Sequence, residues 1–275
     1  MTVEAYAKVN LTLEVFGRRA DGYHALRSVV APISLSDTLD VRVTDDGTVS
    51  SDAGYVDDLC VKAAKALRGG RSDLGARISV VKRIPAGGGL GGGSADAAAV
   101  LGALNEAWGL SLSRKRLAEI GIQVGSDVPA LLLNGPVVME GRGEIVRPLE
   151  RFRTLHLVLV NPGVPSSTKE VYAACSPRRA DGADVTARME EALASGSLER
   201  IAATMRNDLQ EPAVRLHPEI ESALAALRAV GTVGAMMSGS GSCVFGIALD
   251  SADANRIVVE LVRRGIVAHS VDTVP

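Results

Sequence analysis

Along residues 3–15 apolar and polar side chains alternate without a break. Val3, Ala5, Ala7, Val9, Leu11, Leu13 and Val15 share one face, and Glu4, Tyr6, Lys8, Asn10, Thr12 and Glu14 share the other. A period of two over this length predicts a half-buried antiparallel strand. Beyond a turn at residues 18–22, Leu39, Val41 and Val43 mark a second alternating strand. Helical spacing over 57–67 leads to a strand at 76–81, and 95–108 reads as an alanine-rich helix. A further helix, 113–120, starts on a Ser113 cap. Segments 131–140 and 144–149 flank Gly141, Arg142 and Gly143 as the arms of a hairpin. The pattern restarts in an apolar strand at 156–160, so the expected domain boundary lies at 149–154. Helices at 168–174, 183–194, 198–205, 218–229 and 252–263 then alternate with strands at 234–237, 243–248 and 267–272. The pattern predicts an α+β chain in two halves, 1–150 and 151–275, without internal repeats.

Between the strand at 76–81 and the alanine-rich helix the pattern is broken by glycine. The run reads Pro85, Ala86, Gly87, Gly88, Gly89, Leu90, Gly91, Gly92, Gly93, Ser94. Glycine loses the most backbone freedom on ordering, about 0.5–1 kcal/mol relative to alanine in regular structure, so a run this dense needs a reason. Positive φ or close approach to a ligand supplies one. Bare N–H groups opening onto a helix N-terminus form an anion site, because unpaired amides and the helix dipole both favour negative charge. The loop is therefore expected to wrap nucleotide phosphate. A flexible linker fits poorly, since linkers mix in Ser and Thr and do not open onto a strong helix. A P-loop needs Lys-Ser or Lys-Thr after the last glycine, and Ser94-Ala95 stands there instead. Gly87 to Gly92 satisfies G-x-G-x-x-G, yet Glu106 comes too early to be the acidic partner of a dinucleotide fold.

Composition narrows the class. The 275 residues carry a formal net charge of −2, with 47% hydrophobic and 23% charged residues, which is ordinary for a globular protein. Nothing resembles the basic footprint of a nucleic-acid binder. Cys60, Cys175 and Cys243 are far apart, odd in number and without metal spacing, which predicts reduced thiols and a cytoplasmic location. No charged-then-apolar leader and no run of 18 apolar residues occurs, so no membrane association is expected. Only eight residues are Tyr, Phe or Trp, so each is informative.

Phosphoryl transfer needs a phosphate cradle, cations on the developing charge and a carboxylate at the acceptor hydroxyl. Lys8 and Asn10, two apart on the first strand, point the same way, although taken alone they read better as the solvated face of an edge strand. Asp127, within the GSDVPA segment at 125–130, suits the carboxylate, or a helix-capping residue. A Gly-Ser run at 238–242 joins two apolar strands and reads as a hairpin loop. Tyr23 and His24 form an aromatic pair suited to stacking and hydrogen bonding a base.

Segments 5–12 (AYAKVNLT), 18–24 (RRADGYH), 85–94, 125–129 (GSDVP), 161–164 (NPGV) and 237–245 (MSGSGSCVF) follow in an order that resembles the GHMP small-molecule kinases over essentially the whole chain. The glycine loop marks only the superfamily. The strand at 5–12 with the Asp21-Gly22-Tyr23-His24 turn narrows the resemblance to the branch acting on 4-diphosphocytidyl-2-C-methyl-D-erythritol at its 2-hydroxyl, in the non-mevalonate route to isoprenoid precursors. The resemblance implies a ribosomal-protein-S5-like ATP-binding domain followed by a ferredoxin-like α/β sandwich, with the active site between them. It implies Lys8 and Asp127 as the catalytic pair, and Pro85 to Ser94 around the ATP phosphates. Asn10 would meet the substrate near its reacting end. Tyr23 and Tyr172 would sandwich cytosine, His24 would hydrogen-bond its edge, and Lys82 and Thr168 would make further substrate contacts. ATP with Mg²⁺ held mainly by its phosphates is implied, with Ser94 offered as a phosphate or Mg²⁺ contact, no acidic metal ligand matched, and a monomer or weak homodimer. Where the superfamily often has Ser-Ser-Ala, this chain has Ser94-Ala95-Asp96, so one hydroxyl is missing. A GHMP kinase for a sugar, homoserine or mevalonate-type alcohol would leave Tyr23, His24 and Tyr172 without purpose. A catalytically dead nucleotide-binding regulator would have no need of both Lys8 and Asp127.

Overall fold

A computed structural model describes residues 1–176 and 184–274 of the chain. Two long strands, β1 (Thr2–Arg18) and β2 (His24–Thr44), form an antiparallel pair around the 18–24 turn. The first half continues through β3 (Val49–Ser51), α1 (Leu59–Arg68), β4 (Gly75–Val81), α2 (Gly92–Ala107), α3 (Arg114–Val124), α4 (Val128–Leu131), β5 (Val137–Gly141) and β6 (Ile145–Pro148). The second half runs β7 (His156–Val160), α5 (Thr168–Ala174), α6 (Val185–Ser195), α7 (Leu198–Thr204), β8 (Arg206–Asn207), α8 (Gln210–Leu216), α9 (Glu219–Ala229), β9 (Gly234–Met237), β10 (Val244–Ile247), α10 (Ser251–Arg263) and β11 (Ala268–Asp272).

Local chemistry sets many of these ends. Asp58 caps α1 by accepting from the Cys60 and Val61 amides, and the helix stops where Gly69 turns to φ +59°. Ser113 caps α3 as its sequence position predicts. α2 begins at Gly92, three residues before the expected start, so the glycine run itself supplies its first turn. Residues 131–136 do not extend the hairpin arm; Pro129 sits within the single turn of α4 instead. The helix expected over 183–194 starts at Val185, residue 183 lying outside the described residues.

The strands form two sheets. The larger runs β3-β4-β2-β1-β8, with β5 paired to β2 and β6 to β5; the smaller is β11-β7-β10-β9, antiparallel throughout. β8 joins β1 in parallel at Thr12 and Leu13, so a segment of the second half completes the first sheet. The expectation for β1 is corrected by what lies over it, the glycine loop at Lys8 and Thr186 of α6 at Thr12 and Glu14. Glu4 remains exposed, but from Lys8 onward the polar face is not solvated: Lys8, Asn10, Thr12 and Glu14 are all buried. One large core joins apolar residues of β1, β2 and α2 to Leu157, Leu159 and Phe245 of the smaller sheet. Ala97, Ala98, Val100, Leu101 and Leu104 bury α2 on much of its circumference, the small alanines letting it lie close to the sheet.

The 85–91 loop, which links β4 to α2, is clamped by the 238–243 loop between β9 and β10. At Gly89, φ is +70° and a Cβ would fall 2.1 Å from the Ser238 carbonyl oxygen. Gly102, in α2, has open space around its Cβ position. Gly102→Ala should therefore stabilise the fold by about 0.5–1 kcal/mol in urea unfolding, whereas Gly89→Ala should cost about 2 kcal/mol or more. Shifts of the same sign would contradict this packing.

Candidate active site

The clamp fixes how the glycine loop presents its two kinds of backbone group. Its carbonyls are occupied from behind. Gly87 O accepts from the Ser166 and Ser242 amides, each at 3.2 Å, and Gly88 O from the Cys243 amide at 3.1 Å. Gly89 O accepts from Lys8 Nζ at 2.8 Å and Ser238 Oγ at 3.1 Å, and Leu90 O from the Lys8 amide at 3.0 Å. Among the described residues the amides of 87–91 donate no backbone hydrogen bond. A row of free N–H groups thus leads into the N-terminus of α2, the polarity that holds an anion.

Lys8 lies under this loop. Its ammonium donates to Asn10 Oδ1 at 2.6 Å and to Gly89 O, and pairs with Asp127 Oδ2 at 3.7 Å. Burial pulls its pKa down, while the Asp127 charge opposes the shift. Asn10 is held in turn by Ser28, whose hydroxyl accepts from Asn10 Nδ2 at 2.8 Å. Asp127 precedes α4, yet its carboxylate caps no amide of that helix. The capping alternative is thereby removed. Gly91 bridges the two charges, since a Cβ there would lie 3.2 Å from Lys8 Cε and 3.6 Å from Asp127 Oδ2.

A cleft of about 1210 Å³ opens over this centre. Tyr23, His24, Tyr172 and the 55–60 segment line it along with the glycine loop. The aromatic group differs from the implied sandwich. His24 itself stacks on Tyr172, with centroids 5.4 Å apart and planes at 24°, while Tyr23 is faced by the Arg142 guanidinium at 4.9 Å. Burial raises the Tyr172 hydroxyl well above its usual range, so it stays protonated. Thr168 Oγ1 hydrogen-bonds Ser240 Oγ at 2.8 Å and so ties α5 to the clamping loop.

Lys82 is engaged elsewhere. Its ammonium bonds Asp37 Oδ2 and, at 2.7 Å, Asp96 Oδ2, two carboxylates that are almost wholly buried. Asp37 Oδ1 also accepts from the Arg83 and Ile84 amides, which fixes the strand end leading into the glycine loop. Lys82 therefore positions the loop, a correction to its implied substrate contact. Burial raises Asp96 to about 6, against the pull of Lys82. The sequence pattern does not single out Ser238, Ser242 and Cys243 as loop clamps, nor Arg142. The Gly-Ser composition of 238–242 is the one visible signal for the first group.

Among the described residues no group of three or more His, Cys, Asp or Glu is placed to hold a metal ion, and no helix is long and apolar enough to cross a membrane. Comparison with known proteins gives a consistent picture. Residues 58–135 match the GHMP kinases N terminal domain and 189–267 the GHMP kinases C terminal domain. A 4-diphosphocytidyl-2-C-methyl-D-erythritol kinase of Symbiobacterium thermophilum is 40% identical over 94% of each chain. One from Geobacter sp. is 38% identical over 98% of each. A crystal structure of 4-(cytidine 5'-diphospho)-2C-methyl-D-erythritol kinase superposes with a TM-score of 0.84 at 36% identity, covering both chains fully. A homoserine kinase from Cytophaga hutchinsonii, at 18% identity and a TM-score of 0.78, shares the fold.

Removing Lys82 tests its assignment. Lys82→Met leaves two buried carboxylates without their cation and should cost about 3–5 kcal/mol. A carboxylate whose folded pKa is raised binds more protons in the native state, so stability falls as pH climbs through that range. The deficit should thus be larger at pH 8 than at pH 5. Urea unfolding that shows a loss below about 1 kcal/mol, flat with pH, would return Lys82 to the substrate side.

Proposed function

The chain belongs to the GHMP kinases, in their 4-diphosphocytidyl-2-C-methyl-D-erythritol kinase branch, and we propose on that premise that its cleft moves the terminal phosphoryl group of ATP to the 2-hydroxyl of 4-diphosphocytidyl-2-C-methyl-D-erythritol. One observation carries the reading: the glycine loop holds its carbonyls toward Lys8 and the 238–243 loop, and leaves its amides to a ligand. Pro85 to Ser94 surround the ATP phosphates, with the amides of 87–91 and the start of α2 directed at negative charge. Asp127 takes the proton of the acceptor hydroxyl as its oxygen bonds to the γ-phosphorus and the bond to ADP breaks. Lys8, paired with Asp127 at 3.7 Å, favours the ionised carboxylate and offsets charge developing on the transferred group. Asn10 keeps Lys8 in place from one side and meets the substrate from the other.

At the aromatic end, cytosine stacks on Tyr23 and is read along its edge by His24. Tyr172, stacked on His24, fixes the imidazole plane. Thr168 supports that wall through Ser240. Mg²⁺ enters with ATP, held chiefly by its phosphates. The Ser94 hydroxyl fits as its protein contact: it lies on the first turn of α2, against Gly125 and close to the turn that carries Asp127. There a bound Mg²⁺ would supply charge neutralisation to the phosphates of ATP. We divide the chain at 150/151, with β8 reaching back into the first sheet. The protein is read as a cytoplasmic monomer or weak homodimer, its cysteines Cys60, Cys175 and Cys243 buried and unpaired.

Coupled detection of ADP in the presence of the cytidylyl alcohol, homoserine or mevalonate tests the substrate. Turnover with the cytidylyl alcohol should exceed the others, and Asp127→Asn should lower it about 10²- to 10⁴-fold. Near-normal turnover in that variant would remove Asp127 from the chemistry.

A further inference from the structure

Arg142 stands at the tip of the β5–β6 hairpin, between two glycines with φ of +75° and +123°. A Cβ on Gly143 would fall 2.1 Å from the Ser126 carbonyl oxygen, so the tip presses on the residue before Asp127. On the other side Glu144 accepts from the Arg142 amide and, at 2.8 Å, from Arg19. Arg19 also bonds Asp21, which accepts from the Tyr23 amide at 3.1 Å. The tip is thus tied both to the turn bearing Tyr23 and to the turn bearing Asp127.

Its guanidinium is fixed but under-used. Nη2 donates to the Ile122 carbonyl at 3.0 Å, and the plane faces Tyr23. Among the described residues no carboxylate lies within salt-bridge distance of it; its charge reaches Asp21 only at longer range, and that carboxylate is bonded by Arg19. An arginine held at a cleft wall with spare donors and no carboxylate bonded to it matches a phosphate group, whose oxygens it can engage in bidentate fashion. On the reading given above, ATP is served by the amides of the glycine loop, not by Arg142. The acceptor alcohol brings its own diphosphate, attached to the base that stacks on Tyr23.

We propose that Arg142 binds the diphosphate of the cytidylyl substrate, a role that rests on the substrate reading given above. The guanidinium covers one face of Tyr23 and leaves the other to cytosine. The phosphates reach round the ring edge to Nη1 and Nε. Arg142 thereby selects a base that carries phosphate over a free nucleoside, and holds the polyol at the correct distance from Asp127.

Calorimetric titration of the full chain with CDP and with cytidine tests this. Arg142→Ala should weaken CDP about ten- to a hundredfold, the range of a lost charge-assisted contact, and cytidine less than about threefold. Arg142→Gln, which keeps a donor for Ile122, should show the same contrast and excludes a folding artefact. The KM for the cytidylyl alcohol should rise in parallel while that for ATP moves less than about twofold. Equal losses for CDP and cytidine would reduce Arg142 to a support for Tyr23, and no loss would remove it. A wild-type chain that binds neither CDP nor the cytidylyl alcohol would instead overturn the substrate reading itself.

Discussion

A buried ammonium is the constraint around which this molecule is arranged. Lys8 sits in the middle of a central strand, only 2% exposed. An isolated charge in such a place is strongly disfavoured, and it persists only when partners surround it. Asn10, the Gly89 carbonyl and Asp127 are those partners, drawn from β1 itself, the glycine loop and the start of α4. Holding them together requires β1 to lie inside the sheet, the glycine loop to fold over it, and α4 to begin where Asp127 faces inward. A methionine at this position would serve stability as well or better, which points to function as the reason for the charge.

The same arrangement accounts for the glycine loop. Its glycines serve two neighbours at once. Toward the second half, Gly88 and Gly89 allow the 238–243 loop to approach closer than any side chain permits. Toward the cleft, the carbonyl bonds made on that far side turn the amides outward. The outward set of these amides thus depends on residues more than 140 positions away in the chain, such as Ser238. The Asp37–Lys82–Asp96 cluster anchors the loop's entry and the first turns of α2 from below.

Much of this is legible in the chain itself. Alternation locates β1, helical spacing locates α1, α2 and α10, and cap chemistry locates the start of α3. The glycine loop is visible because so dense a glycine run directly before a strong helix breaks the apolar pattern. Burial of the polar face of β1 is not visible. It depends on the glycine loop over Lys8 and on α6, whose Thr186 meets Thr12 and Glu14, and these distant neighbours leave no periodic trace. The role of Lys82 is hidden for a similar reason: Asp37 and Asp96 lie 45 and 14 positions away, and sequence spacing carries no record of such a cluster. His24 and Tyr172 are expected as separate contacts, but tertiary packing stacks them directly on each other.

If Lys8 and Asp127 act as one unit, their removal cannot compound. Turnover of Lys8→Met, Asp127→Asn and the double variant, measured with saturating ATP and cytidylyl alcohol, forms the cycle that tests this. The double variant should be no slower than the worse single variant. A double variant slowed by the product of the two single losses would mean that the two residues act independently, and the account of the buried pair would fail.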